Sequence, residues 1–338
     1  MSRPTKDATL AYADLTPEDV LDALESLGFR CNGRLLALNS YENRVYRIGI
    51  DPADAVVAKF YRPNRWTDAA ILEEHEFSHE LAESEIPVVA PQLIEGATLH
   101  KQNGFRLAVY PCRGGRPPEL DDYELLRQLG RLVARIHLIG ETAGFAHRPR
   151  LGIDRLGRRS RDFLLERSVI PADLTDAYTS VADQVIEGVE RCFDRTGKTM
   201  GNSTELRIHG DFHPGNVLVA GGMFHIVDLD DACTGPAVQD LWMFLSGDRA
   251  EQTPQLAALL EGYESFRRFD ARELNLIEAL RSLRIMHYAA WLARRWDDPA
   301  FKLAFPWFAS RRYWDEHVLA LREQLALMQE PPLEWTAN

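Results

Sequence analysis

Apolar residues recur at helical spacing over residues 15–29, where Val20, Leu21, Leu24 and Leu27 share one stripe. Thr16 suits the cap of this helix, Pro17 its first turn and Gly28 its end. The period then changes. Residues 34–38, 44–50 and 55–62 are short runs rich in aliphatic and aromatic side chains, which predict strands of an antiparallel sheet. A polar turn, NSYEN over 39–43, separates the first two. Helical spacing returns over 67–84 with Thr67 as a cap, and two further strands are expected over 86–94 and 104–112. Beyond residue 120 the pattern is mostly helical, at 122–140, 171–195, 254–268, 271–296 and 311–329. Only the stretch 205–230 reads again as short strands, here around polar loops.

This order predicts an α+β, bilobal architecture. A small antiparallel-sheet lobe with one long helix occupies 1–111, and a larger, mostly helical lobe occupies 112–338. The hinge is expected in PCRGGRPPEL, where two glycines and three prolines fall in ten residues. Residues 1–13 are expected to be loosely attached. A cleft between two such lobes is a natural ligand site.

Composition narrows the function. The chain of 338 residues carries a net charge of −12, which disfavours nucleic acid as a partner. The four cysteines (Cys31, Cys112, Cys192, Cys233) form no CxxC pair, so neither a zinc site nor a redox motif is written. No run approaches the ~20 apolar residues of a membrane span, and the N-terminal stretch lacks the apolar core of a signal peptide. A cytoplasmic protein without a membrane partner, monomeric, is expected. One basic exception, RLGRRSR, surrounds Ser160; a solvated loop is the plain reading, a docking or phosphorylation segment the sharper one.

The chemistry concentrates in HGDFHPGNVLVAGGMFHIVDLDD, which holds three histidines and four aspartates between His209 and Asp231. A metal-hydrolase reading of His209, Asp211 and His213 is weak, because Pro214 and Gly215 bend the chain at once and no zincin spacing is present. Phosphoryl transfer fits better. Kinase chemistry needs a carboxylate to orient the acceptor hydroxyl, an Asn and a second Asp for magnesium, and a Lys for the α- and β-phosphates. Asp211 precedes Asn216 by five residues, as base precedes metal ligand in the kinase loop. Asp228 ends the apolar run that follows, where it can meet Asn216 across a hairpin. Upstream, Lys59 ends an apolar strand, a costly place for an ammonium without an anionic partner. The following helix offers Glu73, Glu74 and Glu76. Ser40, in the NSYEN turn, offers a hydroxyl and an N–H to a phosphate.

HGDFHPGNVL followed by IVDLDD resembles the signature of the aminoglycoside phosphotransferase and choline kinase superfamily, whose fold is kinase-like. The segments LNSYENRVY, KFYRP, ILEEHEF, GPAVQDLWM, AWLARRW and QEPPL are similar to those of bacterial cytoplasmic serine/threonine protein kinases of that superfamily that act in stress response, over about residues 15 to 335. The resemblance implies Asp211 as catalytic base and Asn216 and Asp228 as magnesium ligands, with Asp228 also counted as catalytic. It implies Ser40 and Lys59 on ATP phosphates, Glu74 (with Glu73 open) as the lysine's partner, and backbone from Val109 to Cys112 at adenine. ATP and Mg2+ are the implied cofactors, and protein hydroxyls, including the enzyme's own, the implied acceptors.

Two alternatives stand beside this reading. One is a small-molecule kinase acting on an amino alcohol or amino sugar. The other is a non-catalytic nucleotide-binding regulator, which the complete set Lys59, Asp211, Asn216 and Asp228 argues against. Asp230 is open between a second magnesium and loop hydrogen bonding. Asp240 is expected to brace the catalytic loop, and His209 to orient it from a buried position.

Overall fold

The computed structural model describes residues 12, 14–52, 54–197 and 205–335. The segment expected to be loosely attached, 1–13, lies outside them except for Tyr12. Tyr12 is anchored: it is buried, and its hydroxyl donates to the Phe60 carbonyl at 3.0 Å. By contacts the chain divides into two units, Met1–Pro118 with Gly215–Asp230, and Glu119–Pro214 with Asp231–Asn338. Residues 112–118 and the segment Gly215–Asp230 therefore group with the first unit, where the sequence pattern had assigned all of 112–338 to the second.

The first unit opens with α1 (Pro17–Ser26), closed at its start by a full capping box between Thr16 and Asp19. Three strands follow: β1 (Cys31–Ala37), β2 (Arg44–Ile50) and β3 (Val56–Tyr61). Then come α2 (Asp68–Glu83), β4 (His100–Gln102) and β5 (Phe105–Pro111). The five strands form one sheet in the order β1-β2-β3-β5-β4, every pair antiparallel. Alternation along β3 divides its side chains between two faces. Val56, Ala58 and Phe60 join Val20 and Leu24 of α1 in one core, while Tyr61 joins Ile71 of α2 in a second.

The strand expected over 86–94 is not one. Pro87 and Pro91 have no N–H to give a ladder. The remaining backbone groups serve two different neighbours: Val89 donates to Ile226 at 2.8 Å, and Gln92 donates to Val109 at 2.7 Å.

The second unit is helical. It comprises α3 (Tyr123–Gly140), α4 (Arg159–Glu166) and α5 (Thr175–Arg195), followed by the short strand β6 (Leu206–Ile208). The chain then returns to the first unit for a hairpin, β7 (Val217–Ala220) and β8 (Met223–Ile226). Back in the second unit lie β9 (Cys233–Gly235), paired with β6, and then α6 (Gln239–Trp242), α7 (Arg249–Glu264), α8 (Ile277–Arg294), α9 (Pro299–Ala304) and α10 (Arg311–Leu327).

RLGRRSR is not a loop. Residues Asp154–Arg158 form a π-helical turn that runs into α4. Three of its arginines pair with acids: Arg158 with Glu190, Arg159 with Asp154, Arg161 with Asp162 and Asp183. Ser160 is wholly buried, its hydroxyl 3.4 Å from His287 Nδ1. That burial removes it as a phosphorylation site in this fold.

Candidate active site

In the first unit, Lys59 projects from β3 on the Tyr61 side of the sheet. Its side chain is 6% exposed, and its ammonium lies 2.9 Å from Asp228 and 3.2 Å from Asp230. Burial alone would push this ammonium down. Asp228 and Asp230, helped by Tyr110 and Glu74, instead hold it well above the usual lysine value. The ion pairs of Lys59 are thus with Asp228 and Asp230, not the expected Glu74, which is buried on α2 and adds only to the negative field; Glu73 is half-buried. Burial and the same carboxylate raise the hydroxyl of Tyr61, which lies 2.7 Å from His75 Nε2 and 3.0 Å from the Tyr110 hydroxyl.

Asp228 has φ of 61°, a left-handed conformation unusual outside glycine and a recurrent mark of functional sites. Its carboxylate is half exposed. The β7–β8 hairpin brings it beside Asn216. Val217 opposes Ile226, and the Val227 amide donates to the Asn216 carbonyl at 3.0 Å. Two oxygen-bearing side chains at the base of one hairpin form a hard donor set, which fits a divalent cation completed by phosphate oxygens and water. Among the described residues no group of three or more His, Cys, Asp or Glu is placed to hold a metal by itself.

Asp230 is committed elsewhere. It is buried, accepts from Asn43 at 3.0 Å, and pairs with both Lys59 and Arg65. These partners tie Asp230 to the β1–β2 turn and to the lysine of β3. Asn43 also accepts from the Arg62 amide at 3.1 Å, so it ties the β1–β2 turn to the end of β3. Ser40 sits half-buried in the same turn. Val109 is buried in β5, with its carbonyl accepting from Gln92, and Cys112 is half-buried just past that strand.

The hairpin itself is pinned on both sides. Arg116 exchanges two backbone hydrogen bonds with Val219 of β7, at 3.0 and 2.7 Å. On the β8 side, Ile226 donates to Pro87 at 2.9 Å and accepts from Val89. Gly115 permits the first contact, since a Cβ there would stand 2.8 Å from Leu218.

In the second unit, Asp211 follows β6. Its carboxylate lies 2.5 Å from Arg284 Nη1 of α8 and 3.5 Å from His213 Nε2. Burial favours a neutral carboxyl here, but His213 and Arg284 outweigh it and hold Asp211 well below the usual carboxylate range. The loop is shaped from behind. Asp240 of α6 accepts the backbone N–H groups of His209 and Gly210, at 2.7 and 2.9 Å, and lies 3.2 Å from His137 Nε2. Gly210 has φ of 82°, and a Cβ there would meet the Asp231 carbonyl at 2.3 Å. His209 is buried and rests on Phe212, their rings 4.9 Å apart.

The structure thus joins Lys59, Asn216 and Asp228 within one unit and sets Asp211 on a braced loop of the other. Sequence reasoning missed three residues at these centres: Asn43, Arg65 and Arg284. Asn43 carried a turn signal only, and Arg284 only the helical spacing of 271–296.

The sequence profile of the phosphotransferase enzyme family matches residues 34–277. The chain belongs to that family. It is 43% identical to stress response kinase A of Escherichia coli over 331 residues, 98% of each chain. It is 40% identical to the serine/threonine protein kinase RdoA of Salmonella typhimurium over 330 residues, again 98% of each. Among solved structures, amicoumacin kinase superposes with a TM-score of 0.71 at 18% identity, covering 95% of this chain and 96% of that one. A microcompartment-associated aminopropanol kinase gives 0.64 at 18%, covering 92% and 97%. At that identity the likeness speaks for the fold, which is the bilobal, kinase-like α+β fold. The family member described here is therefore a phosphotransferase of the kinase type.

Proposed function

We propose that this protein transfers the γ-phosphate of ATP to serine or threonine hydroxyls of a protein, with a divalent cation, magnesium by expectation. The observation that carries the reading is the buried Lys59 facing Asp228, itself set beside Asn216 by the hairpin. A buried ammonium and two oxygen donors suit the polyphosphate of a nucleotide and its metal. Asn216 and Asp228 would hold the cation, which when bound neutralises charge on the β- and γ-phosphate oxygens. Lys59 would neutralise the α- and β-phosphates, Ser40 would reach a phosphate, and backbone from Val109 to Cys112 would receive adenine.

Asp211 would orient the acceptor hydroxyl and take its proton. The acceptor oxygen forms a bond to the γ-phosphorus as the bond to the bridging β,γ-oxygen breaks, and ADP leaves. A carboxylate held at low basicity suits this step, because a loose transition state asks more for orientation than for a strong base.

A protein acceptor is supported by the name of the 40% identical Salmonella relative. The second reading, a small-molecule kinase, is favoured by structural neighbours named for amicoumacin and aminopropanol. Arg284 against Asp211 weighs the other way, since it repels a cationic amino alcohol from the acceptor position. A stress-response role follows the name of the Escherichia coli relative. The four free cysteines agree with a reducing, cytoplasmic setting, and no described helix is long and apolar enough to cross a membrane. The enzyme's own phosphorylated hydroxyl would lie elsewhere than the buried Ser160.

The deciding experiment supplies radiolabelled ATP and magnesium with a generic protein and with a panel of amino alcohols. Label in protein, including the enzyme itself, is the expected result. Label confined to a small molecule overturns the protein-kinase reading.

A further inference from the structure

The exposed side of α8 repeats one chemistry. Arg281, Arg284, Tyr288, Trp291 and Arg295 follow at i, i+3, i+7, i+10 and i+14, which places them on one stripe of the helix and its C-cap. The rings are ordered by stacking: Tyr288 lies parallel to Trp291 with centroids 5.7 Å apart, and the Arg295 guanidinium sits 5.0 Å from the Trp291 ring. Arg281 lies 4.9 Å from the Trp242 ring. Beside this stripe opens a cavity of about 550 Å³ lined by Trp242, Arg281, Arg284, Tyr288, Tyr313 and Glu316, among others.

The charged residues lining this groove are two arginines and one acid, in a protein whose net charge is −12. Its acid, Glu316, is engaged by Arg312 at 2.7 Å. Arg281 holds Glu278 at 3.2 Å through Nε, but its Nη2 is buried with no hydrogen-bond partner among the described residues. A guanidinium N–H removed from water and left unpaired is costly, and a carboxylate would satisfy it. The stripe passes the acceptor position itself, since Arg284 contacts Asp211. Aromatic planes between arginines suit an extended polypeptide, whose apolar and backbone groups lie on the rings while its acids reach the forks.

We propose that the acceptor is a serine or threonine flanked by acidic residues, with its chain bound along α8. Arg281 and Arg295 would read the carboxylates, and Arg284 would hand the neighbouring hydroxyl to Asp211. This inference rests on the protein-kinase reading above and adds the acceptor's charge.

The test uses the full chain with ATP and magnesium and two serine peptides that differ only in flanking glutamates or lysines. The glutamate peptide should be phosphorylated with a kcat/KM about tenfold higher, the effect of a few half-exposed charge contacts. In the double variant Arg281→Glu with Arg295→Glu the preference should invert; the milder Arg281→Gln with Arg295→Gln should abolish it should the double reversal fail to fold. Equal use of both peptides, or preference for lysines, overturns the proposal. So does competition by single-stranded oligonucleotide where the glutamate peptide gives none. Label in an amino alcohol and in neither peptide is a different failure, that of the protein-kinase reading itself.

Discussion

Asp240 accepts the backbone amide of His209 at 2.7 Å with one carboxylate oxygen, and the neighbouring Gly210 amide with the other. Asp240 is fully buried, so these contacts are made away from water and define the entry to the loop of Asp211. Asp240→Ala should leave two amides unsatisfied and cost about 2–6 kcal/mol at ~1–3 kcal/mol each. Urea denaturation measures the stability loss, and kcat should fall with it while KM for ATP changes little. A stable variant with unchanged kcat would show that the brace is dispensable.

Lys59→Met removes the cation from Asp228 and Asp230 while Arg65 still pairs with Asp230. The loss of phosphate stabilisation should lower kcat/KM for ATP on the order of 10²–10³-fold, as for a preorganised electrostatic contact. Steady-state kinetics with ATP varied checks this. An effect below about threefold would remove Lys59 from the phosphate-binding set.

Arg284 and His213 keep the Asp211 carboxyl ionised far into acid. A depressed carboxyl lends stability that is present above the unfolded value of about 3.9 and is lost as pH falls through the folded value. Asp211→Asn should therefore lower stability at neutral pH and flatten its decline in acid, as well as reduce kcat by about 10²–10⁴-fold. Arg284→Met removes one of the groups holding the carboxyl down, so the acid limb of the kcat profile should move to higher pH. An unmoved limb would mean that another group sets it.

Two histidines of the second unit, His287 half-buried and His317 buried, act in the opposite chemical sense but with the same pH direction. Burial pushes His287 down to about 3 and His317 down to about 4, so both stay neutral in the fold. The unfolded chain takes up their protons below about 6.5. Their effect on stability is nil above that value and grows unfavourable as pH falls toward 4 and 3. His287→Gln should flatten the decline in denaturation midpoint between pH 6.5 and 4, a window that separates it from the carboxylates. An unchanged slope would show that His287 does not titrate as its burial implies.

What could be read from the sequence was what is written locally. Thr16 and Pro17 state a helix start, and the aliphatic and aromatic run over 55–62 states a strand; both appear as expected. The five-residue spacing of Asp211 and Asn216 and the hairpin carrying Asp228 were equally local. The failures share a physical cause, dependence on partners distant in sequence. Residues 86–94 are apolar enough for a strand, yet their hydrogen bonds go to Ile226 and Val109. RLGRRSR looked solvated because its neutralising acids, Glu190 and Asp183, stand on α5. Arg284 lies 73 residues from Asp211, beyond the reach of any spacing rule.

The composition of the first unit has a consequence for synthesis order. Lys59 leaves the ribosome 169 residues before Asp228, and the carboxylates that make its burial tolerable arrive only with Asp228 and Asp230. Until then β3 carries a lysine that resists burial, and the backbone groups at Pro87, Val89 and Arg116 lack the hairpin they later pair with. The first unit thus cannot be completed until the 112 residues from Glu119 to Asp230, which include the second unit's early helices, have been added. A nascent chain stopped before Gly215 should remain bound to holding chaperones, and one extended past Asp230 should release them.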